Sequence, residues 1–153
     1  MNNTVYIISG PTASGKSLIA YYLAKRVHGE IVNCDSIQLY KYMDIGSAKP
    51  SEKAMSEVKH HLYSIEDPSV NMTVADYRKL ALEAIDDILA RGKTPIVCGG
   101  TGLYLDTLLR GGNSAPVADT SAIRAALTEK GYTFVSAEAE YVLFGASTTI
   151  VAP

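Results

Sequence analysis

The chain has 153 residues, 47% of them hydrophobic, and a formal net charge of −2. This length and composition predict a single domain with its own core, and the small negative charge excludes a global basic field for nucleic-acid binding. Any contact with RNA would therefore use local basic patches. The candidates are Lys25 with Arg26, and the run containing Lys49, Lys53, Lys59, His60 and His61.

The two cysteines, Cys34 and Cys98, lie in apolar contexts and do not form a C-x-x-C pair. A disulfide scaffold or a zinc site is therefore not expected, and a reducing cytoplasm is favoured. The amino-terminal run MNNTVYIISG carries no basic leader, and no stretch approaches the ~20 apolar residues that a spanning helix needs. We expect a cytoplasmic protein with no membrane partner, and nothing in the sequence indicates an obligate protein partner.

The first chemical signal in chain order is GPTASGKS, which fits the spacing G-x-x-x-x-G-K-[ST]. It follows TVYII, predicted to be a buried strand, and precedes SLIAYYLAKRVHG, predicted to be a helix that ends at glycine. In such a P-loop, backbone N–H groups surround a phosphate, the lysine adds a charge and the hydroxyl can ligate Mg²⁺. The predicted phosphate-binding residues are Gly10, Pro11, Thr12, Ala13, Ser14, Gly15, Lys16 and Ser17, with Ser17 as the metal ligand.

Two further strands are predicted before the middle of the chain. EIVNCD is an apolar strand with Asp35 at its carboxyl end, and HHLYSIEDPS is a short strand closed by a proline turn. Between them, SIQLYKYMDIGSAKPS contains glycine and proline and is predicted to be a loop with a short helical turn. Loops at this edge of a parallel sheet commonly carry function.

The clearest helix is predicted over TVADYRKLALEAIDDILARGK, where Thr73 can cap the first turn together with Asp76. Its apolar stripe faces the core and consists of Val74, Tyr77, Ala81, Ala84, Ile85 and Ile88. TPIVCGGTGLYLDTLL then repeats the order of strand, glycine turn and helix, with Ile96, Val97 and Cys98 predicted to be buried.

Strands that alternate with helices indicate an α/β fold, here a P-loop NTPase-like parallel sheet flanked by helices. The predicted order of strands and helices changes later in the chain. SAIRAALTEKG is predicted to be helical, and residues 132–153 alternate with period two and predict a terminal β-hairpin. We therefore divide the chain into a core, residues 1–130, and a hairpin-like tail, residues 131–153.

The carboxyl ends of parallel strands share one edge, so the phosphate loop, Asp35 with Ser36, the DIGSAKP loop and Thr101 are expected to converge there. Asp35 could act as a general base, or it could simply cap the turn that follows it. A kinase would need a carboxylate at the end of the strand beside the loop, but that strand ends in IVCGG. Asp67 could substitute, although an aspartate before proline is more typical of a turn.

The runs GPTASGKS, VNCDSIQLYKYMDIGSAKPS, HHL, DYR and PIVCGGTGLYLDTLLRG together resemble the amino-terminal half of the bacterial tRNA dimethylallyltransferases, also called tRNA isopentenyltransferases. This resemblance extends from about residue 5 to about residue 130. It implies transfer of a dimethylallyl group from dimethylallyl diphosphate to N6 of an adenine next to the tRNA anticodon. The tail matches nothing in the family's continuation, nor does the chain match a later arginine that helps to hold the diphosphate.

The resemblance also assigns roles to individual residues. The backbone of Thr12 to Gly15, with Lys16 and a Mg²⁺ ion on Ser17, would hold the diphosphate, and Asp35 would be the catalytic base. The residues that would contact tRNA are Asp35, Ser36, Ile37, Gln38, Tyr40 and Thr101. For Tyr40, and for Tyr42 beyond it, packing is as good an explanation as contact with a base.

Three alternatives remain at this stage. A P-loop kinase of a small molecule or nucleotide would need ATP turnover and a lid with arginines, for which Arg110 and Arg124 are the late candidates. A nucleotide-level isopentenyltransferase would use the same loop and Asp35 on a free nucleotide. A non-catalytic phosphate-binding fragment would bind its ligand without turnover.

Overall fold

The computed structural model describes residues 4–111 of the chain. Four strands alternate with four helices along this segment. In chain order they are β1 (Tyr6–Ser9), α1 (Lys16–Val27), β2 (Gly29–Asn33), α2 (Glu52–Glu57), β3 (His60–His61), α3 (Val74–Ala90), β4 (Thr94–Gly99) and α4 (Gly102–Arg110).

The four strands form one sheet in the order β1-β4-β2-β3, and every neighbouring pair is parallel. Ile96 of β4 is in register with Tyr6 on one side and with Ile31 on the other. The last strand in sequence is therefore central, and its carboxyl end lies between those of β1 and β2. This confirms the predicted parallel α/β sheet.

A hydrophobic cluster covers each face of the sheet. On the α1 face it consists of Ala20, Ala24, Ile31, Val58, Ile96 and Cys98. On the face of α3 and α4 it includes Val32 and Val97 from the strands and Cys34 just after β2, with the Tyr77 and Tyr104 rings stacked 3.9 Å apart between centroids. The two cysteines are free thiols that belong to different clusters, as expected of small buried hydrophobic groups.

Helix α3 begins as the sequence predicts. Thr73 Oγ1 accepts a hydrogen bond from the Asp76 N–H, and the Asp76 carboxylate accepts one from the Thr73 N–H, which forms a capping box. Tyr77, Ala81, Ile85 and Ile88 are buried, whereas Val74 and Ala84 are half-buried. The predicted stripe is thus the core-facing side of this helix.

One sequence prediction about the strands needs correction, and three predictions for the later part of the chain lie outside the described residues. The prediction that the first strand is buried is wrong: Tyr6 and Ile7 are 39% and 40% exposed. Within residues 4–111, β1 pairs with β4 on one edge only, so its other edge stays open. The helix predicted at SAIRAALTEKG, the terminal hairpin and the boundary at residues 130/131 lie outside the described residues.

An ionic cluster lies at the amino end of the sheet, where β2 begins. The Glu30 carboxylate is 1% exposed, and it accepts hydrogen bonds from both terminal nitrogens of Arg91 at 2.6 and 2.7 Å. Lys93 Nζ lies 2.7 Å from Glu30 Oε1, and His61 Nε2 lies 2.6 Å from Oε2. These donors, Arg91 foremost, hold the pKa of the Glu30 carboxyl well below its usual range. The cluster ties β2, β3 and the turn after α3 together.

No helix among residues 4–111 is long and apolar enough to span a bilayer.

Gly99, the last residue of β4, lies against the backbone after β2. A Cβ atom at this position would lie 2.1 Å from the Cys34 carbonyl oxygen, and backbone cannot yield as a flexible side chain can. We expect Gly99→Ala to lower the free energy of unfolding by about 3 kcal/mol or more, as measured by urea denaturation. Gly100→Ala is the matched control. Its Cβ would lie 3.3 Å from the nearest atom, so a loss as large as that of Gly99→Ala would contradict this account.

We also expect Glu30→Gln to lower the free energy of unfolding at neutral pH. Because the folded pKa of Glu30 lies below the unfolded value of 4.5, the carboxylate's contribution is complete above that pH and is lost as the pH falls below it. The difference between wild type and variant should therefore shrink on acidification, as followed by urea denaturation at several pH values. Glu83→Gln, at an exposed position of α3, should show no such dependence.

Candidate active site

The phosphate loop connects β1 to α1 at the carboxyl edge of the sheet. Ala13 and Gly15 have left-handed φ angles of 62° and 82°, and Pro11 to Gly15 are exposed. Helix α1 has no side-chain cap at Gly15, and of its first-turn N–H groups that of Leu18 donates to the Gly15 carbonyl at 3.1 Å, which leaves the earlier ones as candidates for an anion. Lys16 Nζ donates a hydrogen bond to the Pro11 carbonyl at 3.0 Å, which places its charge across the loop.

The turn after β4 joins the two halves of the predicted site. On one side, a Cβ atom at Gly100 would lie 3.8 Å from Lys16 Nζ and 3.3 Å from the Gly10 carbonyl oxygen. On the other side, the Thr101 N–H donates to the Cys34 carbonyl at 3.1 Å, and Thr101 Oγ1 accepts from the Ser36 N–H at 2.9 Å. The phosphate loop, the end of β2 and Thr101 therefore converge on one edge of the sheet.

The two carboxylate oxygens of Asp35 differ in their hydrogen bonds. Oδ1 accepts hydrogen bonds from the N–H groups of Ile37 at 2.9 Å and Gln38 at 3.1 Å, and so caps the turn that follows β2. Oδ2 has no hydrogen-bond partner among residues 4–111. Capping thus uses one oxygen and orients the carboxylate, while the other stays able to accept a proton.

The residues after Ser36 differ in the solvent exposure of their side chains. Gln38 is buried, and its side-chain amide donates to the Ser47 carbonyl at 2.7 Å. The Tyr40 hydroxyl accepts from the Met72 N–H at 3.2 Å, so this ring belongs to the packing under the loop. Ile37 and Tyr42 are exposed. Of these four side chains, Ile37 and Tyr42 are therefore the open ones, whereas Gln38 and Tyr40 are engaged.

Lys49 has a structural role that the sequence analysis missed. Its side chain is only 7% exposed, and Nζ donates to the Tyr40 carbonyl at 2.6 Å, to Asp44 Oδ1 at 2.9 Å and to Ser64 Oγ at 2.9 Å. It therefore closes the base of the DIGSAKP loop, and its ammonium group is engaged within the protein. Two of its partners belong, like Lys49, to the loop between β2 and α2, but Ser64 follows β3 and is brought to Lys49 only by the fold.

Other members of the predicted basic patches are also engaged. Lys25 forms an ion pair with Glu57 at 2.7 Å, and His61 belongs to the Glu30 cluster. Beside them, near the start of β2, lies a cavity of about 310 Å³ lined in part by Lys25, Gly29, Glu30 and Lys93. This cavity is at the amino edge of the sheet, so it is separate from the site at the carboxyl edge.

The carboxyl edge provides few protein ligands for a metal ion. Within the described part of the chain, no three His, Cys, Asp or Glu side chains lie close enough together to hold one. Asp67 is committed to its turn, because Oδ1 accepts from the Ser69 N–H at 2.9 Å and from the Ser69 hydroxyl at 2.6 Å. Ser17, exposed in the first turn of α1, is the oxygen ligand that the phosphate loop offers.

Comparison with known proteins places this geometry in a family. The family model described as IPP transferase matches residues 38–142, a range that ends inside the segment 131–153 set apart as a tail. The tRNA dimethylallyltransferase of Geobacter sulfurreducens is 55% identical over 123 residues, which are 80% of this chain and 39% of the relative. That of Geobacter metallireducens is 52% identical over 126 residues, 82% of this chain and 40% of the relative.

Solved structures agree with the sequence relatives. The full-length tRNA isopentenylpyrophosphate transferase of Bacillus halodurans superposes with a TM-score of 0.72 at 39% identity, covering 86% of this chain and 44% of that one. A eukaryotic dimethylallyltransferase acting on tRNA gives a TM-score of 0.67 at 36% identity, covering 77% of this chain and 28% of that one. These matches confirm the P-loop NTPase-like fold.

The chain spans about two fifths of the length of these sequence relatives. The family model covers more than half of the chain, and the order of motifs, the parallel sheet and the solved structures all agree with it. The chain therefore belongs to the IPP transferase family.

Proposed function

We propose that this chain carries the diphosphate-binding and proton-accepting part of a tRNA dimethylallyltransferase. The observation that carries the proposal is the turn at Gly100 and Thr101, which lies against Lys16 on one side and binds Ser36 on the other. It sets an anion site beside a carboxylate on one edge of the sheet. This is the arrangement needed to remove a diphosphate from one substrate and a proton from another.

The diphosphate of dimethylallyl diphosphate would bind in the loop Gly10 to Ser17. Positive backbone N–H groups at the start of α1 and the Lys16 ammonium would stabilise the charge that grows on the leaving diphosphate. Ser17 offers one hard oxygen ligand, which fits a Mg²⁺ ion that takes its other ligands from the diphosphate and water. When bound, this ion would further neutralise the leaving group.

Asp35 would accept the proton from the acceptor amine. As the allylic C–O bond breaks and the N6–C bond forms, N6 of adenine loses a proton, and Asp35 Oδ2 is the oxygen without another partner in residues 4–111. Removing this proton matters because the lone pair of an adenine amine is delocalised into the ring. The products are N6-dimethylallyladenine, diphosphate and a protonated Asp35.

The acceptor would be an unpaired adenine of tRNA, beside the anticodon. The turn Ser36 to Tyr40 and the Thr101 hydroxyl border the edge where Asp35 lies, so they would line the pocket for a base turned out of its stack. Exposed Ile37 lies in this turn, where an apolar side chain can pack against a base.

We expect Lys16→Ala to weaken the binding of dimethylallyl diphosphate by about ten- to a hundredfold, because one charge-assisted hydrogen bond is lost. Calorimetric titration of the purified chain in Mg²⁺ measures this. Lys79→Ala, at an exposed position of α3, is the matched control and should leave the affinity unchanged. If both variants bind like wild type, the loop is not the diphosphate site.

We expect Asp35→Asn to slow transfer of labelled dimethylallyl to unmodified tRNA by about 10²- to 10⁴-fold, the usual range for loss of a general base. An asparagine oxygen can still cap the turn, so the chain should fold and its diphosphate affinity should not change. Asp86→Asn, at an exposed position of α3, is the control.

Three results would redirect the proposal. Transfer to AMP but not to tRNA would indicate a nucleotide-level enzyme. Turnover of ATP would indicate a kinase. Diphosphate binding by the wild-type chain without transfer to any acceptor would indicate a binding fragment.

A further inference from the structure

Asn33 is a buried polar residue that makes two of its three side-chain hydrogen bonds to Asp35. It is the last residue of β2 and is 0% exposed. Its Oδ1 accepts a hydrogen bond from the Asp35 N–H at 3.0 Å, and its Nδ2 donates to the Asp35 carbonyl at 3.0 Å and to the Leu62 carbonyl at 2.9 Å. Because two partners are acceptors and one is a donor, the orientation of the amide follows from its surroundings.

The backbone of Asn33 is itself held from two directions. Its carbonyl accepts a hydrogen bond from the buried Tyr77 hydroxyl of α3 at 2.9 Å, and its position in the sheet is paired with Cys98 of β4. The side chain therefore extends from a rigid frame. Since a buried amide that loses its partners is costly, its contacts with Asp35 are strongly maintained.

From these contacts we infer that Asn33 is a positioning residue for Asp35: by binding both the N–H and the carbonyl of Asp35, it sets the direction in which the Asp35 carboxylate points. This inference rests on the proposed function, in which Asp35 accepts the proton from N6.

The chain of contacts reaches the reacting oxygen in two steps. Asn33 holds the Asp35 backbone, and the N–H groups of Ile37 and Gln38 hold Asp35 Oδ1. Rotation about the remaining bonds is thereby restricted, so that Oδ2 is presented in one direction. A misplacement of about 1 Å at such a group can cost about 10²-fold in rate.

A purely structural role for Asn33 makes a different prediction. In that case the loss of its hydrogen bonds would lower the stability of the chain as a whole, without changing the carboxylate. The amide protons of Ile37 and Gln38 separate the two roles, because they bond to the Asp35 side chain and make no hydrogen bond to Asn33.

The test compares the full wild-type chain with Asn33→Ala and with Asn33→Leu, which keeps about the size of the side chain but has neither its acceptor nor its two donor hydrogens. Asn71→Ala, at an exposed position before α3, is the matched control. The first readout is the ¹H–¹⁵N spectrum with amide hydrogen exchange, which does not depend on turnover. The second is the rate of dimethylallyl transfer to unmodified tRNA with both substrates saturating, together with the KM for dimethylallyl diphosphate.

We expect both Asn33 variants to shift the Ile37 and Gln38 amide signals and speed their exchange, with the signals of residues 10–17 unchanged. Transfer at saturation should fall about 10²-fold, and the KM for dimethylallyl diphosphate should stay as in wild type. If Asn33→Ala does not fold, Asn33→Leu, which leaves a smaller cavity, provides the same comparison.

Two results overturn this inference. In the first, a variant loses stability but its Ile37 and Gln38 amide signals do not move. Asn33 would then have a purely structural role. The other is a normal transfer rate in a folded variant. A wild-type chain that transfers nothing, in which the Asn33 variants still shift these two amides, overturns the proposed function but supports the positioning of Asp35.

Discussion

The whole site depends on the parallel pairing that places β4 between β1 and β2. This pairing brings the carboxyl ends of three strands that are distant in sequence to one edge. It requires close contact at Gly99, where a side chain would overlap the Cys34 carbonyl. One residue further on, Gly100 lies against Lys16 and Thr101 binds Ser36, so the same approach of backbones connects the phosphate loop with the turn that carries Asp35.

Polar side chains are divided between the two ends of the sheet. At the amino end, Glu30 is surrounded by cations and joins β2 to the turn after α3, which is a role in stability. At the carboxyl end, Asp35 forms no ion pair with the described residues. One of its carboxylate oxygens accepts no hydrogen bond from them. The two acidic residues, five positions apart, therefore have different physical environments: one is satisfied by charge, the other by backbone N–H groups.

Membership of the IPP transferase family and the geometry of the carboxyl edge support each other, but they come from different observations. The family model begins at residue 38, after the phosphate loop and Asp35, whereas the contacts that join Lys16, Gly100, Thr101 and Ser36 are properties of the fold. Because the chain spans about two fifths of its relatives, the proposed function is confined to the part of the site that these contacts join.

Local sequence was sufficient for most of the elements, the motifs and the likeness to a family, but helix α2 (Glu52–Glu57) was not predicted. The P-loop spacing, the Thr73 and Asp76 capping box, and the apolar stripe of α3 depend on residues close together in the chain, so they could be predicted. The exposure of β1, the burial of Lys49 and the amide contacts of Asn33 could not, because each depends on which segment lies beside it. Whether a lysine or an asparagine is free or engaged depends on carbonyl groups brought near it by folding, and the tertiary structure alone determines that.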